Sequence, residues 1–175
     1  MQGIPLNERK RLGALLDDRP QTEVMAMIPQ FSQAETDNFV APPAQIPEAL
    51  GVLMFNMERG VNLPEIQEFL RDCPDIQPFD VILANELDDG CARSGNKNTA
   101  RELAQAFGLN YAWGLEFIEL VNDENAKGFH GNAVFSRWPI RRAGVIRLPE
   151  QYNWYFDRQK RIGGRLAVFA ELDVG

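Results

Sequence analysis

The chain has 175 residues, of which 45% are hydrophobic, so it can bury one sizeable core and we expect one domain or part of one. Its net charge of −7 argues against tight non-specific binding to nucleic acid, unless a bound divalent ion or a local basic patch reverses the field. No apolar stretch approaches the ~20 residues of a membrane span, and the first twenty residues do not form a signal-peptide pattern. Two isolated cysteines, Cys73 and Cys91, fit a reducing compartment, and the expected location is cytoplasmic.

Residues 1–47 are predicted to form an N-terminal extension and linker, and residues 48–175 the main domain. The pattern from Glu8 to Asp17 predicts a helix with Leu12, Leu15 and Leu16 on its inner face. The proline-rich residues 40–47 are typical of an extended linker. The sequence assigns no function to residues 1–45.

Two apolar strands in the first half of the domain each run directly into a polar residue. Residues 51–55 lead into Asn56, and residues 80–85 lead into Glu86. Between them, residues 64–71 carry the apolar spacing of a short helix, and a strand–helix–strand unit makes the two strands parallel. Neighbouring strands lie about 4.8 Å apart, or twice that with one strand between them. We therefore expect the side chains of Asn56 and Glu86 within about 10 Å of each other at one sheet edge.

The second half changes from alternating strands and helices to strands alone. A loop over residues 88–97 precedes a helix with a Thr99-x-x-Glu102 capping box, which Gly108 is expected to end. Four strands are then predicted over residues 111–120, 131–137, 143–148 and 164–174. Because no helix separates them, they are expected to be antiparallel. The fold class is therefore mixed, α/β (α+β), with two facing sheets and helices outside.

Four blocks of the sequence, in order, carry a family pattern: NMERG, DVILANELDDGCARSGN, GFHGNAVFSRWPI and GGRLAVFAELDV. Together they resemble the endonuclease/exonuclease/phosphatase superfamily over residues 50–174. The resemblance implies a four-layer sandwich of two mixed β-sheets flanked by helices, with residues 48–175 as the N-terminal portion of such a domain. The family's later motifs, a His-bearing strand, Gly-Asp-x-Asn and Ser-Asp-His, do not occur here, so we expect a domain truncated at its C-terminus.

Glu86 and Asn56 are the candidate catalytic residues. An unpaired carboxylate at the end of an apolar strand is costly, and the residues leave two solutions open: a divalent cation, or a hydrogen bond to Arg59 or Arg93. Asn56 has a neutral amide that either orients water and phosphate or caps the next turn. The resemblance implies that Glu86 is a ligand of Mg²⁺ or Mn²⁺ and that Asn56 acts beside it.

Three further residues are candidates for substrate binding. Arg93 can place its guanidinium on phosphate oxygens, or it can pair with Asp88 or Asp89. The single histidine, His130, is assigned to the substrate rim, because the family's catalytic histidines belong to the motifs that this sequence lacks. Asn132 follows it in the GNAVFSR strand.

The sequence therefore predicts a metal-dependent phosphoester hydrolase (nuclease, phosphodiesterase or phosphatase) with almost no turnover as this chain alone. The resemblance implies a phosphoester substrate, either nucleic acid, a phosphoinositide or a phospholipid head group. The alternative is a non-catalytic binding or interaction module on the same fold. The aromatic and basic residues at 154–161 either stack on bases or pack on the sheet. An exposed edge or uncovered apolar face is expected beside residues 164–174.

Overall fold

The computed structural model describes residues 1–150, 152–156 and 158–174. They form a mixed α+β fold with four α-helices and eight strands in two sheets, which confirms the predicted fold class. The α-helices are α1 (Leu6–Ala14), α2 (Gln21–Ala26), α3 (Leu63–Asp72) and α4 (Thr99–Phe107). The strands are β1 (Ala34–Asp37), β2 (Val52–Arg59), β3 (Val81–Asp89), β4 (Asn110–Glu119), β5 (Phe129–Ser136), β6 (Ile140–Arg147), β7 (Arg161–Gly163) and β8 (Leu166–Leu172).

The large sheet has the order β1-β4-β5-β3-β2, and β7 also pairs with β4. Strands β2 and β3 are parallel neighbours joined through α3, as the strand–helix–strand pattern predicts. The other pairs of this sheet are antiparallel. The predicted change from a parallel to an antiparallel arrangement is therefore confirmed.

The large sheet is packed on both faces. One face shares a continuous buried apolar cluster with the helices, which includes Leu12, Leu70, Ile82, Leu103 and Phe135. The small antiparallel sheet of β6 and β8 lies on the other face and approaches it closely at Gly114. A Cβ atom at Gly114 would lie 3.0 Å from Val145 Cγ2 and 3.1 Å from Val168 Cγ2, so the missing side chain permits the close approach. The described residues thus form helices, a large sheet and a small sheet, in that order.

The first 37 residues pack onto the same core as the strands that follow. Strand β1 pairs with β4, and Leu12 and Leu16 are buried while Leu15 is partly buried. The predicted helix begins at Leu6 and continues beyond Ala14 as a short 3₁₀ turn. The division of the chain after residue 47 stays a prediction, and residues before it contribute to the main core.

Helix α4 begins with a different cap from the predicted one. Asn98 is the N-cap, and its Oδ1 accepts a hydrogen bond of 2.9 Å from the Arg101 amide. The Thr99 hydroxyl instead donates to the Asp88 carbonyl at 2.8 Å, so the predicted Thr99 capping box is wrong. The difference comes from a tertiary contact, because Thr99 is buried against β3 and its hydroxyl donates to a backbone carbonyl of that strand. Gly108 ends the helix in the left-handed conformation with φ 60°, as predicted.

Helix α3 is the longest α-helix among the described residues, with 10 residues. At 1.5 Å per residue it is about 15 Å long, which is half the thickness of a bilayer core. Within the described ranges no helix is both long enough and apolar enough to cross a membrane. The cytoplasmic location stays a prediction.

An apolar part of the large sheet is left uncovered on the face that carries the small sheet. The small sheet lies over β1, β4 and β5, while Val52, Met54 and Leu83 of β2 and β3 are 58%, 75% and 40% exposed. In the part of the chain that the structure describes, β8 pairs with β6 and its other edge has no partner strand. Contiguous exposed apolar surface next to open edges promotes association.

We therefore expect the 175-residue chain to self-associate through Val52, Met54 and Leu83. Met54→Lys should shift it towards the monomer, because a charge in the middle of this face opposes its burial. Light scattering over a concentration series measures the effect, with Val61→Lys, an exposed apolar residue elsewhere (44% exposed), as the matched control. Equal association of the wild type and both variants would contradict the expectation.

Candidate active site

Asn56 and Glu86 meet at one edge of the large sheet, as their strands predict. In the parallel pair of β2 and β3, the Cα of Asn56 lies opposite that of Asn85, so Glu86 is one residue further along the neighbouring strand. With strands ~4.8 Å apart and ~3.3 Å per residue, the Cα atoms of Asn56 and Glu86 lie about 6 Å apart, and the ~10 Å separation of their side chains stays a prediction.

Both strands are bulged at this point. The register shifts between Asn56 and Arg59 on β2, and between Ala84 and Leu87 where β3 pairs with β5. Glu58, Arg59 and Glu86 adopt positive φ angles of 46°, 67° and 59°. Such left-handed conformations cost non-glycine residues on the order of 1–3 kcal/mol each and cluster at functional sites. The strain is concentrated where the candidate catalytic residues lie.

Each strained segment is held by the amide of an asparagine. Asn56 Oδ1 accepts a hydrogen bond of 2.9 Å from the Glu58 amide, which closes a tight turn within the last residues of β2. Across the second bulge, Asn85 and Glu86 of β3 stand opposite one residue of β5, Asn132. Asn132 Oδ1 accepts a hydrogen bond of 3.1 Å from the Glu86 amide. The sequence predicted Asn132 as a substrate contact, and the structure gives it a positioning contact with the Glu86 backbone.

The Glu86 carboxylate is half-buried and available. Among the described residues it forms no ion pair or side-chain hydrogen bond, so the alternative bond to Arg59 or Arg93 is not formed. The Arg59 Nε is itself buried without a hydrogen-bond partner there. The described residues contain no cluster of three or more His, Cys, Asp or Glu side chains placed around one metal position. At this edge, Glu86 therefore provides one carboxylate as a possible metal ligand.

Arg93 forms ion pairs with two buried carboxylates, Asp88 and Glu119. Its Nε lies 2.7 Å from Asp88 Oδ2 and its Nη2 lies 2.8 Å from Asp88 Oδ1, which is a bidentate ion pair. Its Nη2 also lies 3.1 Å from Glu119 Oε1. Of the alternatives from the sequence, a phosphate contact or a pair with Asp88 or Asp89, the structure contains the pair with Asp88, while Asp89 pairs with Lys127.

His130 belongs to the same buried network and is only 3% exposed. Its Nδ1 lies 2.9 Å from Asp88 Oδ1, and its Nε2 lies 3.9 Å from Glu116 Oε2. That Glu116 oxygen has no hydrogen-bond partner among the described residues, while Oε1 pairs with Arg165 at 3.0 Å. The structure therefore places His130 between two strand carboxylates, beneath the rim expected from the sequence.

The aromatic and basic segment packs over this network. Trp154 contacts Phe117 edge-on with ring centroids 5.1 Å apart, and Arg165 lies 5.0 Å above the Trp154 ring. Phe117 in turn stacks on His130. Trp154 therefore packs on the sheet, which is one of the two alternatives considered for residues 154–161. Asp157, in the same segment, lies outside the described residues.

Three carboxylates organise this network, Asp88, Glu116 and Glu119. Asp88 was considered from the sequence as a partner of Arg93, while Glu116 and Glu119 were not predicted. All three are at most 3% exposed, and all lie within or directly after apolar strand sequences. Acidic residues within buried strands need charged or hydrogen-bonding partners. Their position within the apolar runs therefore indicated a buried charged network.

The comparisons with known proteins give a limited result. No family model matches the chain, and no curated protein matches it. Among solved structures, the chain is similar to the crystal structure of an endonuclease/exonuclease/phosphatase from Beutenbergia cavernae, with 20% identity over 70% of this chain and a TM-score of 0.49. The chain spans about a third (34%) of the length of that structure.

The buried network makes the stability of the protein depend on Asp88. Burial alone raises the pKa of the Asp88 carboxyl, but hydrogen bonds from Arg93 and His130 outweigh it and hold this pKa below its usual value. A lowered pKa in the folded state stabilises the protein above the unfolded pKa of about 3.9, and this stabilisation is lost as the pH falls through the folded value.

Asp88→Asn should therefore lower the free energy of unfolding at pH 7 by about 3–5 kcal/mol, the typical cost of breaking a buried ion pair. The difference from wild type should shrink below about pH 4. Urea denaturation at both pH values measures it, and Asp75→Asn on the exposed surface is the control. An effect of the same size at pH 7 and pH 3 would rule out the ionised Asp88 as its cause.

Proposed function

We propose that this chain carries part of the active site of a metal-dependent phosphoester hydrolase. The observation that supports the proposal is the pair of bulges on neighbouring parallel strands, where Asn56 lies opposite Asn85 and the left-handed Glu86 follows one residue further. Strained backbone of this kind persists only where surrounding contacts fix it, and here the contacts come from Asn56 and Asn132.

The residues present fit a hard divalent cation such as Mg²⁺ or Mn²⁺. Mg²⁺ usually takes one or two protein carboxylates and completes its shell with water and substrate phosphate oxygens. Glu86 offers a carboxylate that forms no ion pair with a cation among the described residues. Its backbone amide is hydrogen-bonded to Asn132 of β5. When bound, the metal would polarise the phosphoryl group and stabilise the leaving oxygen.

The protein residues then divide into three roles. Glu86 holds the cation, and the neutral amide of Asn56 contacts a phosphate oxygen or water without repelling it. Asn132 positions Glu86 through its backbone. Arg93 and His130 were predicted to bind substrate. We instead propose that they position Glu86 through Asp88, their common partner, which lies two residues beyond Glu86 on the same strand. The substrate class remains a phosphoester: nucleic acid, a phosphoinositide or a phospholipid head group.

A non-catalytic interaction module is the second candidate. The exposed apolar face of Val52, Met54 and Leu83 favours it, because this surface lies on the same strands as Asn56 and Glu86 and would be buried by a partner. The two candidates differ in whether a cation binds at Glu86.

Mn²⁺ titration of the ¹⁵N-labelled chain by NMR distinguishes them, because a paramagnetic ion broadens nearby signals. We expect Mn²⁺ to broaden the side-chain amide signals of Asn56 and Asn132 first, and excess Mg²⁺ to restore them. Glu86→Gln should abolish this local broadening, since it removes the charge and keeps the shape. Glu58→Gln, in the adjacent turn, should retain it.

Broadening that is spread over the acidic surface, or lost equally in both variants, would contradict a metal site at Glu86 and favour the interaction module. Backbone chemical shifts of each variant establish whether the fold is unchanged.

A further inference from the structure

A cavity of about 300 Å³ lies away from Asn56 and Glu86, between α2 and the β7–β8 connection. Its wall is largely apolar and includes Met25, Ile28, Phe31 and Leu148. Concave, mainly apolar cavities of this size with a few polar groups are typical of small-molecule sites. None of the proposed catalytic residues lines it.

Arg147 is the polar group that distinguishes this cavity. Its guanidinium donates to the Phe31 carbonyl from Nε at 3.0 Å and from Nη2 at 2.6 Å. It also donates from Nη1 to the Gly164 carbonyl at 3.1 Å and from Nη2 to the Leu115 carbonyl. All these acceptors are neutral, and no carboxylate in the described ranges lies within ion-pair distance of Arg147.

This charge is partly desolvated and incompletely satisfied. Burial lowers the pKa of Arg147 to about 10, because desolvation disfavours the charged form. A guanidinium has five N–H groups, and the four bonds described leave one N–H of Nη1 without a partner. A charge withdrawn from water is stabilised most effectively by an anion.

The other charged groups of the cavity are Arg165 and Glu150. Arg165 already pairs with Glu116 at 3.0 Å, and Glu150 is exposed to solvent. Two cations and one anion therefore line the cavity, in a protein whose net charge is −7. Because Arg165 is paired with Glu116 and Glu150 is exposed to solvent, the partly buried Arg147, which has no ion pair in the described ranges, is the group that favours an anion beside the apolar wall.

We propose that this cavity binds a small amphipathic carboxylate, with its apolar chain against Met25, Ile28 and Leu148 and its carboxylate at Arg147. The site is separate from the proposed hydrolase site and does not depend on it.

Calorimetric titration of the 175-residue chain with octanoate tests the proposal, with octylammonium as the probe of equal chain length and opposite charge. Octanoate should bind saturably and at least about tenfold more tightly, since its carboxylate can accept a charge-assisted hydrogen bond from Arg147 and octylammonium cannot. Equal binding of the two probes, or no binding of octanoate, would overturn the proposal.

Two variants locate the binding. Ala26→Phe fills the cavity from its exposed wall and leaves Arg147 in place, so octanoate binding should fall at least tenfold. Glu23→Phe adds the same bulk to the exposed side of α2 outside the cavity and should bind as the wild type does. Unchanged affinity in Ala26→Phe would place octanoate elsewhere and refute the site.

Arg147→Met removes the charge and keeps much of the side-chain volume. It should reduce octanoate affinity to that of octylammonium. Because Arg147 also bonds three backbone carbonyls, circular dichroism must first show that the variant is folded; if it is unfolded, Ala26→Phe decides the question. A folded Arg147→Met that binds octanoate like the wild type would refute the role of Arg147.

Discussion

The hydrogen bond from the Glu86 amide to Asn132 Oδ1 is the interaction on which the candidate site depends. A bulge leaves one residue of a strand without its regular ladder partner, and here the side chain of the opposite strand supplies the missing acceptor. The left-handed backbone of Glu86 is thereby fixed from β5, while Asn56 fixes Glu58 on β2 in a similar way. Two asparagines thus hold Glu58 and Glu86, on two parallel strands, in a conformation that residues other than glycine rarely adopt.

Behind this edge, the charged network links three strands of the large sheet. Asp88 follows Glu86 on β3 and joins Arg93 to His130 of β5, while Glu119 of β4 contacts Arg93 as well. Buried charges of this kind contribute little net stability compared with apolar residues, but removing one partner is costly. The network therefore constrains the relative positions of β3, β4 and β5, which are the strands that place Glu86 and Asn132.

The sequence predicts the scaffold better than the details of the site. Apolar runs and a 3.6-residue helix pattern were sufficient for β2, α3 and β3, because those elements bury regular faces. The bulges were not predictable, since Glu58, Arg59 and Glu86 have no local preference for positive φ. The contact that holds Glu86 comes from Asn132 on another strand, which the local sequence does not reveal. Arg93 could pair or bind phosphate until the structure placed Asp88 and Glu119 beside it. Strand β1 was missed because its sequence, Ala-Glu-Thr-Asp, has no apolar alternation.

The most direct test of this account is a crystal structure of the chain grown with Mn²⁺, using the anomalous signal of the metal. We expect one strong peak about 2.0–2.2 Å from a Glu86 carboxylate oxygen, with the Glu86 amide still bonded to Asn132. A well-ordered Glu86 that turns away from the edge to pair with an arginine, with the metal bound elsewhere, would contradict the account.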